Sequence, residues 1–294
     1  MIELRHRENL RKLSPSPNTP AKCRRGISLR VEPWVQGSAP AASREGVTKI
    51  PSELKCVDET SLAPRYAPSY DARIMRLIHT LYEPTGDGPH PTLIAMHGFG
   101  ANALDLLGLA PYIADGRFMV ICPQGPMEVP IGPTRGYAWF PIRMGASPDR
   151  DAIDDANKIA TEFLNTALSK YPVDRKKLVM LGFSQGGMMA YRLAVRNPSK
   201  FAALVGLSTY FPPELKNEIN DPAALEALPT LVQHGRADEM IEITRARASV
   251  ETLRSLKVPL TYREYDCGHE ITSEGLKDLS DFLIEKVLEP IVRL

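Results

Sequence analysis

The sequence predicts an α/β protein, with a mostly parallel central sheet flanked by helices and no large cap domain. Three observations predict it. Short uncharged apolar runs at residues 92–96, 118–123 and 178–181 have the length and composition of strands buried on both faces of a sheet. Helical segments alternate with such runs, as a parallel sheet with right-handed crossovers requires. No insertion between them is long enough to build a cap.

Residues 1–65 stand apart in composition. Arg5, Arg7, Arg11, Lys12, Arg24 and Arg25 make their first part basic, while Ser14-Pro15-Ser16-Pro17 and Gly37-Ser38-Ala39-Pro40 read as linker. Without a sustained hydrophobic period, this stretch is predicted to be a disordered extension, with Trp34 a patch packed on the domain. An Arg- and Ser-rich start also marks organelle transit peptides, which Glu3 and Glu8 argue against.

The folded domain is predicted over residues 66–294. Residues 74–81 alternate as a strand and lead through the turn residues of 84–89 to the strand at 92–96. That strand runs into a glycine-rich loop, His97-Gly98-Phe99-Gly100-Ala101-Asn102, and a helical segment through Leu107. Beyond the strand at 118–123, a loop carrying Pro126, Pro130, Pro133 and Pro141 with Tyr137, Trp139 and Phe140 reads as a stiff aromatic wall beside the site. Residues 149–170 are predicted to be a helix, because Ile153, Ala156, Ala160, Phe163, Leu164 and Ala167 fall at helical spacing. Asp151, Asp154 and Asp155 in its first turns complement the helix dipole. Further strands are predicted at 201–207, 230–233 and 260–265, an amphipathic helix at 243–256, and a terminal helix over 272–294.

The run at 178–181 ends at Gly182-Phe183-Ser184-Gln185-Gly186, a G-x-S-x-G pattern between a strand and a helix read over 187–195. In such a turn the serine takes a strained backbone conformation that projects its hydroxyl from the sheet, above a helix N-terminus that favours negative charge. A serine hydroxyl is a weak nucleophile until an imidazole accepts its proton, and the imidazole needs an acid to hold its tautomer. In α/β-hydrolases the acid and then the histidine follow the serine, each in a loop after a strand. Asp238 and His269 occupy those places; Glu239 and Asp266 are the rival acids, and His97 is read as a structural histidine bonded to backbone.

The segments HGFGAN (97–102), AWF (138–140), GFSQGGMMA (182–190), HGRADEMI (234–241) and CGHEI (267–271) resemble the phospholipase/carboxylesterase family of small serine esterases, which includes bacterial carboxylesterases and acyl-protein thioesterases. The resemblance runs from about residue 70 to the end and leaves out the extension. It implies that the backbone amides of Phe99 and Gln185 form an oxyanion hole and that Trp139 borders the substrate pocket. Phe99 stands where the family often has leucine, so its backbone role carries over rather than its side chain. The resemblance also implies no metal and no cofactor. The activity expected is a serine carboxylesterase hydrolysing short- to medium-chain esters through an acyl-enzyme on Ser184. A lysophospholipase or acyl-protein thioesterase is the alternative, and a catalytically silent binding protein a third reading.

Composition narrows the partners. Lys and Arg total 36 against 35 Asp and Glu, which gives no electrostatic reason to expect nucleic acid. Cys23, Cys56, Cys122 and Cys267 have no CxxC spacing, so neither a zinc site nor a disulfide framework is indicated. No apolar run approaches the roughly 18 residues of a membrane span. The expectation is a cytoplasmic enzyme with a small-molecule ester substrate and no stable membrane insertion; a homodimer is left open.

Overall fold

The computed structural model describes residues 28–31, 77–142 and 149–290. In chain order its elements are β1 (Ser28–Val31), β2 (His79–Glu83), β3 (His90–Met96), a kinked 3-10 segment (Leu107–Gly116), β4 (Met119–Pro123), β5 (Met127–Ile131) and β6 (Thr134–Ala138). There follow α1 (Arg150–Lys170), β7 (Val173–Phe183), α2 (Gln185–Arg196), β8 (Ala203–Leu207), α3 (Pro222–Glu226), β9 (Thr230–Gly235), α4 (Ile243–Ser255), β10 (Leu260–Tyr265) and α5 (Ser273–Leu283). Eight strands form one sheet in the order β1-β2-β4-β3-β7-β8-β9-β10, and β5 with β6 forms a separate hairpin. From β4 to β10 all neighbours are parallel; β2 is antiparallel to β4, and β1 to β2.

The sheet sits where it does because its central strands are apolar on both faces. Successive side chains of a strand point to opposite sides. In β7, Leu178 and Met180 join Ile94, Met96 and Leu204 in a core that includes Phe163 and Ala167 of α1, Leu193 of α2 and Val250 of α4. Val179 and Leu181 face the other way, with Leu93, Val120 and Val205, against Leu107 and Ile113 of the 3-10 segment and Leu279 of α5. Each such side chain contributes about 1.5–3 kcal/mol on burial, so both layers of helices are held on the sheet by its apolar faces. With the strands parallel, the loops after β3, β7, β9 and β10 all emerge at one edge.

The helix over 149–170 begins at Arg150, with Asp149 as its cap accepting from the Ala152 amide. Its acids do more than complement the dipole. Asp154 pairs with Arg192 and Arg196 of α2, and Asp155 with Lys158. Arg192 is only 7 % exposed and also meets Glu214 and Glu218, so the network ties α1 and α2 to the segment after β8.

Several expectations are corrected. The strand read at 74–81 is instead His79–Glu83, because its partner β4 ends at Pro123, opposite His79; residues 74–76 lie outside those described. Within the extension read as disordered, Ser28–Val31 pairs antiparallel with β2 as an edge strand, and the remainder, Trp34 included, lies outside the described residues. The proline-bearing loop contains the β5–β6 hairpin, in which Pro130 pairs opposite Arg135. As β5 pairs with β6 alone, Pro130 sits on an edge strand, which tolerates the missing donor. The helix read through Leu107 is a 3-10 segment that begins there and is broken at Ile113, Ala114 and Asp115. The terminal helix ends at Leu283 and passes into one π turn to Leu288.

Candidate active site

Ser184 lies between β7 and α2 with φ 53° and ψ −120°, a conformation that costs a non-glycine residue about 1–3 kcal/mol. The surrounding chain holds it there. Its amide donates to the Leu207 carbonyl at 2.9 Å, and its carbonyl accepts from the Gly187 amide at 3.0 Å and Thr209 Oγ1 at 2.8 Å. Two glycines are dictated by close approach: a Cβ on Gly182 would overlap the Gly186 carbonyl, and one on Gly186 the Met96 carbonyl.

His269 follows β10. Its ring packs on Phe183, the residue before Ser184, at a centroid distance of 4.9 Å, which brings the imidazole to the serine turn. Its Nδ1–H donates to Asp238 Oδ2 at 2.7 Å. Asp238, in the loop after β9, has a fully buried side chain whose Oδ1 accepts from the Met240 and Ile241 amides at 2.9 Å each. Burial alone would raise its pKa. The bonds from His269 and the Ile241 amide, with the nearby imidazoles, outweigh that and hold it below the usual carboxylate value. The group therefore remains a carboxylate and acceptor. The rival acids do not reach the imidazole: Glu239 is exposed, and Asp266 is exposed and pairs with Arg236.

A residue that sequence reasoning passed over is His234, four positions before Asp238 at the end of β9. It is buried, its Nε2–H donates to the Ile241 carbonyl at 2.7 Å, and that nitrogen lies 3.3 Å from Asp238 Oδ2. Nδ1 is buried without a partner. Burial lowers the His234 pKa, so a neutral ring stands beside the acid. The signal was there to read, as a histidine at the C-terminal end of the strand that leads to Asp238. A cavity of ≈ 10 Å³ adjoins it, lined by Leu207, Ser208, Gln233, Glu270 and Ile271, room for about one water and far too small for an acyl group.

The loop after β3 lies against the serine: a Cβ built on Gly98 would stand 3.2 Å from that of Ser184. Among the described residues the Phe99 amide has no backbone acceptor, and the Gln185 amide, first in α2, has none within the helix. His97 is buried, its Nδ1–H donating to the Gly98 carbonyl at 2.7 Å and its Nε2 accepting from the Gly125 amide at 2.9 Å. Burial lowers its pKa to about 4, so it is a neutral structural ring, as read from the sequence. Among the described residues no group of three or more His, Cys, Asp or Glu side chains is arranged to hold a metal ion.

The sequence profile of the phospholipase/carboxylesterase family matches residues 81–287. The chain belongs to that family. Acyl-protein thioesterase 1 of Gibberella zeae is 25 % identical over 217 residues, 68 % of this chain and 91 % of that protein. Among solved structures, acyl-protein thioesterase 2 of Zea mays superposes with a TM-score of 0.57 at 23 % identity, covering 70 % of this chain and 96 % of that one. The Bacillus cereus carboxylesterase gives a TM-score of 0.60 at 21 % identity, over 70 % of this chain and 93 % of that one. The fold is that of the α/β-hydrolases.

All six residues singled out from the sequence fall inside the family match. Trp139, expected at the pocket border, is only 1 % exposed and lies in the core, its indole N–H donating to the His97 carbonyl at 2.9 Å. Among the exposed apolar side chains are Phe99, on the loop after β3, and Met240, on the loop after β9.

Proposed function

We propose that this member of the phospholipase/carboxylesterase family is a serine carboxylesterase that cleaves esters of short- to medium-chain acids through an acyl-enzyme on Ser184. One observation carries the reading: a serine in a strained strand-to-helix turn, with the ring of His269 packed beside that turn and hydrogen-bonded to a buried Asp238.

His269, with Nδ1–H committed to Asp238, has Nε2 free to take the Ser184 proton as the oxygen attacks the ester carbonyl. The Phe99 and Gln185 amides donate to the oxyanion of the tetrahedral intermediate. The imidazolium, stabilised by Asp238, gives its proton to the leaving alcohol. Water, deprotonated by His269, then attacks the acyl-enzyme and releases the acid and free Ser184. No metal or cofactor enters any step.

Chain length follows from where apolar surface stands. Phe99 is 41 % and Met240 75 % exposed, so an acyl chain lying along them stays partly in water. Each methylene contributes up to about 0.8 kcal/mol only while it is covered, so the gain levels off at medium length. The alternative substrate, an S-acylated protein, is favoured by the Gibberella zeae relative's name and near-full coverage. Comparing kcat/KM on p-nitrophenyl esters and on matched S-acyl thioesters decides between them, with the ester preferred under the main reading. A fluorophosphonate probe should label the protein and leave Ser184→Ala unlabelled. A wild-type chain that fails to react would end the proposal in favour of a silent binding protein.

A further inference from the structure

Trp139 bonds to both of the segments that carry the Phe99 and Gln185 amides. Its backbone N–H donates to Gln185 Oε1 and its indole Nε1–H to the His97 carbonyl, both at 2.9 Å. Gln185 returns a bond from Nε2 to the Phe140 carbonyl at 2.7 Å. His97 leads directly into Gly98-Phe99, and Gln185 carries the second amide. One rigid residue therefore spans the two. The preceding strand grips the same loop from the side, with the Gly100 amide donating to the Tyr137 carbonyl and the Tyr137 amide to the Ala101 carbonyl, each at 2.8 Å. With Trp139 at 1 % and Gln185 at 2 % exposure, water does not compete for these bonds, and neither side chain is free to meet substrate.

From this we infer that Trp139 and the Gln185 side chain are positioning residues for the oxyanion hole, and that β6 with Trp139-Phe140 sets the spacing of the Phe99 and Gln185 amides. The inference rests on the proposed role of those amides. Both donors must fall within 2.7–3.1 Å of the forming oxyanion, and losing one outright costs about 10²–10³ in kcat. Without the indole N–H, the His97 carbonyl is left buried and unpaired, and the loop shifts to find another donor. Ground-state binding of an ester makes little use of these amides, so the loss falls on kcat.

The test replaces Trp139 with β-(3-benzothienyl)alanine, which keeps the bicyclic volume and removes only the N–H, alongside Trp139→Phe. Each is assayed on p-nitrophenyl butyrate and titrated with butylboronic acid, whose tetrahedral adduct on serine mimics the oxyanion. The inference predicts a kcat lower by about tenfold or more, KM within about twofold, and boronate affinity weakened by the same factor as kcat/KM. Gln185→Met should behave likewise, through the opposite side of the brace. An unchanged kcat in the benzothienyl protein overturns the inference, as does a rise in KM alone with boronate affinity intact. Failure of wild type to react with the fluorophosphonate overturns the proposed function instead, so the two failures are separable.

Discussion

Asp238 uses both its oxygens, Oδ1 on two backbone amides and Oδ2 on His269, so its carboxylate is fixed in plane as well as in place. An asparagine could keep one set of bonds and not the other. Asp238→Asn should lower kcat by about 10⁴ through the wrong imidazole tautomer, whereas Glu239→Gln, on an exposed side chain, should change it by less than about twofold. Steady-state kinetics of the two variants check this, and a reversed order would move the acid to Glu239. His97 gives a separate test, in stability. Unfolded, it takes a proton near its ordinary pKa of about 6.5; folded, it resists until about 4. The unfolded state thus binds more protons in between, and stability is lost as pH falls through that window, by about 2 kcal/mol at pH 5. The lowered pKa of Asp238 acts in the same direction at lower pH, as the folded carboxyl gives up its negative charge less readily than the unfolded one. Urea unfolding at pH 7 and pH 5 should show the loss, and His97→Gln should remove most of its difference.

The elements differ in how far they could be read from residues alone. The second half of β7, β8 and the start of β9 were legible because strands buried on both faces leave uncharged apolar runs, and α1 because its apolar side chains keep a 3.6 period over 21 residues; the first half of β7, charged from Asp174 to Lys177, was not read as strand, and β10 is an edge strand that carries Arg263 and Glu264. β1 and the β5–β6 hairpin were not, since a four-residue edge strand carries little periodicity and Pro130 reads as a breaker unless the pairing partner is known. That gap extends to the site. The order of Ser184, Asp238 and His269 was available from sequence, while the inward turn of Trp139 depends on a hairpin that was read as a loop. Two predictions belong to this scale. Gly186→Ala should lower Tm by about 6–12 °C, the equivalent of about 3 kcal/mol, because its Cβ meets the Met96 carbonyl of β3 and neither backbone can give way. Thermal unfolding checks it, and a shift under about 2 °C would show the turn to be looser than described. Deleting residues 1–60 removes β1, which lies four strands from β7 in the sheet order. Here kcat/KM should stay within about twofold while Tm drops by about 2–4 °C as the β2 edge is uncovered. A collapse in activity would place part of the extension at the site.

At the scale of the molecule, a sheet of parallel strands delivers four loops to one edge, and the serine, imidazole, carboxylate and both amides arrive there from β7, β10, β9, β3 and the start of α2. Among the described residues no helix is long and apolar enough to cross a membrane. The central requirement of the proposed function is that Ser184 alone forms the bond to the acyl group. The most direct measurement is ester hydrolysis by purified Ser184→Ala, with its fold verified by circular dichroism and a fluorophosphonate-labelled wild type run in parallel. The account predicts kcat reduced by about 10⁴–10⁶ with no labelling. Folded Ser184→Ala protein that still turns over p-nitrophenyl butyrate within about tenfold of the wild-type rate would contradict it.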